Sequence, residues 1–222
     1  MTKLAYCLVS AVAVAHLAGC AAAPDAMVQT LKSIVSRDGG TETAQLNPNF
    51  QYLRVTIGGR AALLVLGYVE QDALGPIEVW YSAEREVLKL QNGRVVGAIG
   101  MLTEWRNVKL SNVPQWSAIA RMQAPKHLAR TRDVMPGYRY GVRESLALAP
   151  VAAPAKSALR DLDPDQLTWF EERVEGATGG ESALPPARYA VSLAGGGERV
   201  AYGEQCLSPD LCFTWQRWPA GK

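Results

Sequence analysis

Two cysteines with five residues between them, Cys206 and Cys212, bracket a Ser208-Pro209-Asp210 turn. In an oxidising compartment that spacing suits a local disulfide, closing a short loop for about 2 kcal/mol in the chain-entropy picture. As metal ligands the pair lacks the further Cys or His that a tetrahedral site needs, and no metal is expected. Nucleophilic catalysis is poorly supplied. Beyond residue 20 the one histidine is His127, in Pro125-Lys126-His127-Leu128, and there is no G-x-S-x-G elbow, P-loop or G-x-G-x-x-G. The acids Glu171 and Glu172 lie beside Trp169 and Phe170, as a glycosidase pair would. Neighbours on a strand point to opposite faces, however, so these two do not flank one bond. The run Asp161-Leu162-Asp163-Pro164-Asp165 imitates the start of a calcium loop, but Gln166 stands where the sharp turn needs glycine. Helix capping or a solvated loop fits it better. No catalytic residue and no cofactor is therefore expected.

Six tryptophans remain: Trp80, Trp105, Trp116, Trp169, Trp215 and Trp218. An indole face stacks on a sugar ring as readily as it fills a core. Trp80, between Val79 and Tyr81, reads as core or sheet packing. Trp215 and Trp218 follow the cysteine loop and are read as partly exposed, the candidates for contact with a glycan or partner. If Cys212 to Trp218 is a strand, Phe213 and Trp215 share one face and Gln216 and Trp218 the other.

The elements that must hold these residues are mostly strands. Leu53, Val55 and Ile57 alternate into Gly58-Gly59, and Ala61 to Val69 returns. Ile77 to Ser82 reads as a strand, and Val87, Leu88 and Leu90 run through Asn92-Gly93 into Arg94 to Ile99. Tyr189, Val191 and Leu193 enter Gly195-Gly196-Gly197, with Val200 and Tyr202 on the return. Trp105 to Leu110 and Tyr138 to Leu148 are further strands. Pro114 to Arg130 carries a short helix ending near Pro125. Around Asp163-Pro164-Asp165-Gln166 a capped helix and an aromatic strand through Leu167, Trp169 and Val174 are both open. The fold class expected is mainly β: an antiparallel, hairpin-rich sandwich or partly closed barrel with minor helix. One β-rich domain spans 39–222, and the Ala/Pro-rich stretch 147–158, a linker or surface crossing, is where it would divide.

The first residues set the compartment. After Lys3 the chain is apolar from Leu4 to Ala15 and then reads Leu17-Ala18-Gly19-Cys20. That is a secretory signal, too short for a span of about 20 residues, with an exit that resembles the bacterial lipobox. Residues 1–19, Cys7 among them, are then removed, Cys20 is the lipidation site, and 20–38 form a tether, with a short helix starting near Met27, Leu31, Ile34 and Val35. By resemblance to enterobacterial-type sorting, where Asp after the cysteine goes with retention in the inner membrane, Ala21 implies the outer membrane. The rest of the composition agrees with an exported globular protein. Of 222 residues, 23 are Lys or Arg and 21 Asp or Glu, a net +2, with 48% hydrophobic and 20% charged. So even a balance gives no basic surface for nucleic acid, and that hydrophobic content excludes a disordered chain.

Asn47-Pro48-Asn49-Phe50-Gln51-Tyr52-Leu53-Arg54-Val55, Leu64 to Val69, Gly75-Pro76-Ile77-Glu78-Val79-Trp80-Tyr81-Ser82, Leu90 to Arg94 and Thr131 to Tyr138 together resemble the YjbF/GfcB family. The likeness runs from about residue 27 to the end. It implies an outer-membrane lipoprotein, anchored on the periplasmic face by its N-terminal lipid and linked to exopolysaccharide or group 4 capsule production and secretion. Polysaccharide export proteins, or the polysaccharide itself, are the partners it implies. It implies no catalytic residues. A non-catalytic role in polysaccharide assembly or export is the expectation, with a polysaccharide-modifying hydrolase and a general envelope scaffold as alternatives.

Overall fold

Local turn chemistry starts the architecture. Gly58 and Gly59 take φ of 55° and 81°, and Asn92 and Gly93 take 48° and 79°, the positive values that tight hairpins require. Each joins antiparallel strands, as the sequence predicts. A computed structural model describes residue 41 and residues 44–178 and 183–220. The signal, Cys20, the tether and the helix expected near Met27 to Val35 lie outside the described residues.

Twelve strands occur in chain order: β1 Tyr52–Ile57, β2 Arg60–Glu70, β3 Ile77–Tyr81, β4 Val87–Gln91, β5 Arg94–Ile99 and β6 Glu104–Ser111, then β7 Lys126–Met135, β8 Arg139–Val151, β9 Thr168–Ala177, β10 Ala187–Ser192, β11 Arg199–Ser208 and β12 Leu211–Trp218. Each pairs antiparallel with its sequence neighbours, and β1 also pairs with β12, from Tyr52↔Trp218 to Ile57↔Phe213. The ring is therefore a closed up-and-down barrel, more complete than the sandwich or partly closed barrel expected. Closure leaves no free edge strand among the described residues. One seam is weak: β5 and β6 share a single register pair, Ala98↔Trp105, where every other neighbouring pair shares five or more.

The interior is packed rather than open. Leu53, Trp80, Leu88, Trp105, Leu146, Phe170 and Trp215 belong to one buried cluster. The β6–β7 connection folds into it. Its only helix, α1 (Trp116–Ile119), is shorter than the one read towards Pro125, since Arg121 and Met122 close on Ala118 and Ile119 in tighter turns and the chain then leads into β7. Trp116 and Ile119 are buried, so the connection stoppers one end of the ring. At that end Gly93 lies so near Val200 that a Cβ would stand 2.5 Å from its side chain. No other residue fits that turn.

Two segments cover the outer wall. Ala44, Leu46 and Phe50 pack over Tyr52, Leu63, Val65 and Trp218. The Ala/Pro-rich stretch is half strand, since β8 runs on to Val151 opposite Trp169. Beyond Val151 the chain crosses the outside, laying Ala158, Leu159 and Leu167 over Trp169, Ala190 and Tyr202. It is tied there by the Tyr202 hydroxyl, which accepts from Ala158 N at 3.1 Å, and by Gln216, which both accepts from and donates to the Arg160 backbone at 2.9 and 2.7 Å. After this crossing, Asp163 caps a 3₁₀ turn, Pro164–Gln166, and the chain enters β9. The capped turn and the aromatic strand are thus successive.

Candidate functional site

β7 alternates Leu128, Arg130, Arg132 and Val134 on its buried face, which carries two arginines into the core with two aliphatic residues. β8 adds Glu144, β9 adds Glu172 and β5 adds Arg94 from the turn at Gly93, all five charges being buried. Arg130 Nε reaches Glu144 Oε2 at 2.6 Å, Arg132 Nη2 reaches Glu144 Oε1 at 2.8 Å, and Arg94 Nε reaches Glu172 Oε2 at 3.1 Å. Arg130 Nη1, 3.6 Å from Glu172 Oε1, joins the two groups. Charges this deep are tolerable only when paired and hydrogen-bonded. Aromatic faces complete their surroundings: the Arg94 guanidinium lies 3.9 Å from the Trp116 ring centre, and those of Arg130 and Arg132 lie 4.6 and 4.4 Å from that of Trp105. Burial pushes the Glu144 carboxyl up, but the hydrogen bonds and charges of Arg132 and Arg130 outweigh it and hold the group below the usual carboxylate range. Burial, then the charge of Glu172, push the Tyr189 hydroxyl up. Glu144 therefore stays ionised against its two guanidiniums and is not free to deliver or take a proton.

Solvent meets the molecule differently. In an up-and-down ring the connections alternate between ends, so those after β2, β4, β6, β8 and β10 share one end with the segment leading into β1. Three cavities lie there. One of about 640 Å³ sits over α1, lined by Asn92, Trp116, Ser117, Leu193 and Glu198. Glu198 fixes its floor, accepting from the backbone N–H of Trp116 and of Ser117, each at 2.8 Å. A second, about 470 Å³, is lined by Phe50, Tyr52, Trp80, Trp218, Arg199 and Arg217. The third, about 290 Å³, shares Arg199 and Arg217 with it and adds Asp163, Gln166 and Ser192. A separate groove of about 830 Å³ runs along the β5–β6 seam past Val96, Gly97, Trp105, Asn107 and Lys109.

The residues singled out from sequence are scattered among these features. Cys206 and Cys212 are bonded, directly opposite each other in the β11–β12 hairpin at the other end of the ring. Trp215 shares the inner face with Phe213, while Trp218 is outside, as the alternation required. The exposure expected of both is corrected: Trp215 is 0% exposed and Trp218 8%. The reason is that β12 has neighbours on both sides and cover on both faces, the indole of Trp215 lying on Gly203 and that of Trp218 against Tyr52, Leu63 and Val65. Trp218 does line the 470 Å³ cavity. Glu172 points inward, and Glu171 outward to Arg188 at 2.9 Å and to Arg173. His127 is exposed, its Nδ1 2.9 Å from Glu175 Oε2. Arg94, Arg130, Arg132, Glu144, Arg199 and Arg217 were missed. The signal for the β7 pair was present, since the alternation that buries Leu128 and Val134 buries Arg130 and Arg132 as well.

The family model for the group 4 capsule polysaccharide lipoprotein gfcB, YjbF, matches residues 40–211. The crystal structure of the hypothetical lipoprotein YmcC from Escherichia coli (K12) superposes with a TM-score of 0.63 at 16% identity, covering 88% of this chain and 98% of that one. At that identity the likeness is one of fold. No curated protein matches the chain.

Proposed function

Because the chain belongs to the YjbF family of group 4 capsule polysaccharide lipoproteins, we propose that it serves polysaccharide assembly or export as a non-catalytic protein, held by a lipid on Cys20 at the periplasmic face of the outer membrane. The match across residues 40–211 carries this reading. Two features support it. The buried carboxylates Glu144 and Glu172 are engaged by arginines rather than facing a cleft. Glu171 and Glu172, the adjacent acids a glycosidase reading would need, are on opposite sides of the wall.

Deleting the gene in the producing strain tests the role. Surface and secreted polysaccharide should fall and be restored by the wild-type chain; undiminished polymer would overturn it. Crosslinking in intact cells identifies the partners: capture of polysaccharide-export proteins supports the reading, and capture of abundant porins alone opposes it. For the anchor, Cys20→Ser should abolish incorporation of radiolabelled palmitate and leave uncleaved precursor or unanchored protein, because the thiol accepts the lipid. Undiminished labelling of the mutant removes Cys20 as the site.

A further inference from the structure

Arg199 stands apart from the other cations of the ring. It opens β11 at the end where the three cavities lie, it is exposed, and it makes no hydrogen bond or salt bridge among the described residues. Its neighbour Arg217 is fully engaged: Nη2 donates to both carboxylate oxygens of Glu78 at 2.7 and 2.8 Å, and Nε donates to the Val200 carbonyl at 3.2 Å. Glu78 also accepts from Trp80 Nε1 at 3.3 Å. Glu78 is thus taken up by Arg217, and the surplus positive charge falls on Arg199. Partial desolvation by the hollow, and after it the charge of Arg217, hold the Arg199 guanidinium below its usual range, against the pull of Glu78. A cation beside another cation in a hollow is stabilised by an anion arriving from outside.

The walls on either side of Arg199 say what kind of anion. The 470 Å³ cavity presents half-buried Phe50 and the 8% of Trp218 that stays exposed, aromatic surface of the sort that sugar rings lie against, with Tyr52 and Trp80 buried behind them. The 290 Å³ cavity presents Asp163, Gln166 and Ser192, a carboxylate, an amide and a hydroxyl that can exchange hydrogen bonds with sugar hydroxyls. The two hollows share both arginines, so a ligand whose charged group rests at Arg199 has ring-binding surface on one side and polar groups on the other. Cavities of about 300–1,000 Å³ accommodate small ligands, and these stand at the lower end of that scale. Anchoring to an anionic membrane takes clusters of about four to eight basic residues. Here there are two, one of them neutralised by Glu78.

We propose that Arg199, with Arg217 behind it and the hollows on either side, binds a carboxylate-bearing sugar residue of the polysaccharide. The assignment rests on the polysaccharide reading above and names the ligand chemistry of that role.

The test is calorimetric titration of the full chain in detergent with three probes: oligosaccharides from the producing strain's own extracellular polysaccharide, the same oligosaccharides after chemical reduction of their carboxyl groups to alcohols, and phosphatidylglycerol vesicles. The native oligosaccharide should bind, carboxyl reduction should remove binding, and affinity should fall with added salt. Arg199→Gln should weaken binding roughly tenfold or more, the size of a lost charge-assisted hydrogen bond. Arg199→Lys should retain part of it. Because Arg199 is exposed and unpaired among the described residues, its variants should unfold at the wild-type midpoint, which separates a lost contact from a lost fold. Equal binding of reduced and native oligosaccharide, no binding of either, or an Arg199→Gln affinity equal to wild type would each overturn the assignment. So would vesicle binding that depends on Arg199 without oligosaccharide binding. A deletion strain that still loses its polymer, beside a protein that binds no oligosaccharide, would retire this site while leaving the polysaccharide role standing.

Discussion

At the scale of single residues the molecule depends on five buried charges, of which sequence reasoning singled out Glu172 alone, and for another role. Glu144 is the hinge of that group, since it holds both Arg130 and Arg132. Glu144→Gln leaves two buried guanidiniums without their shared anion, and unfolding in urea should show a loss of about 3–5 kcal/mol. The pH dependence has a definite sign. A carboxyl whose folded pKa is depressed contributes stability that is full above its unfolded pKa and lost as pH falls through the folded value. Glu144 is such a group, so wild-type stability should drop on acidification below the ordinary carboxylate range. The variant's acid limb should be flatter; equal acid limbs would assign the acid sensitivity elsewhere. These charges were partly legible. Inward alternation in Leu128-Ala129-Arg130-Thr131-Arg132-Asp133-Val134 was readable, but the partners Glu144, Glu172 and Arg94 come from three other strands. No spacing in the sequence joins them.

At the scale of elements the hairpins were legible because their turns are chemical signals, Gly58-Gly59 and Asn92-Gly93 needing positive φ. What sequence overextended was the helix after Pro114, because Trp116, Ile119 and Met122 are spaced for a helix while the chain tightens into turns at Arg121 and Met122. The exposure of Trp218 was misjudged for a related reason: alternation names the face of a strand, not what covers it. The Cys206–Cys212 bond reinforces a hairpin that ladder pairing already holds from Tyr202↔Gln216 onward. Replacing both cysteines by serine should therefore cost about 2 kcal/mol and lower the unfolding midpoint without abolishing the fold. Free-thiol labelling of both cysteines in unreduced wild-type protein would show instead that the bond is absent. The β5–β6 seam should behave as the loosest joint. Amides of these strands that face the seam, beyond the Ala98↔Trp105 pair, should exchange hydrogen faster than those of β7 and β8. Equal protection would mean that the seam is closed in solution.

At the scale of the whole molecule, an antiparallel β fold was legible but its closure was not. Whether a meander ends as a sandwich or a ring turns on whether β1 meets β12, strands at opposite ends of the described chain with no local sequence signal for each other. Their pairing converts two edges into interior wall, covering Val55 and Trp215 together. Ending the chain before β12 should therefore yield protein that aggregates or is degraded, because β1 and β11 would both present open edges. A soluble, protease-resistant product would mean the ring closes without β12.

That pairing also imposes a schedule. On the export route proposed above, a chain crosses the membrane beginning with its N-terminal part, so β1 would arrive outside long before the strand it must meet. Until β12 emerges, no ring can form, and the translocating chain remains a threadable polymer rather than a finished body. The cysteine on β12 arrives at the same moment, so the bond to Cys206 and the last seam of the wall become available together. Completion waits for β12, and on that route the molecule would become whole only after crossing the membrane.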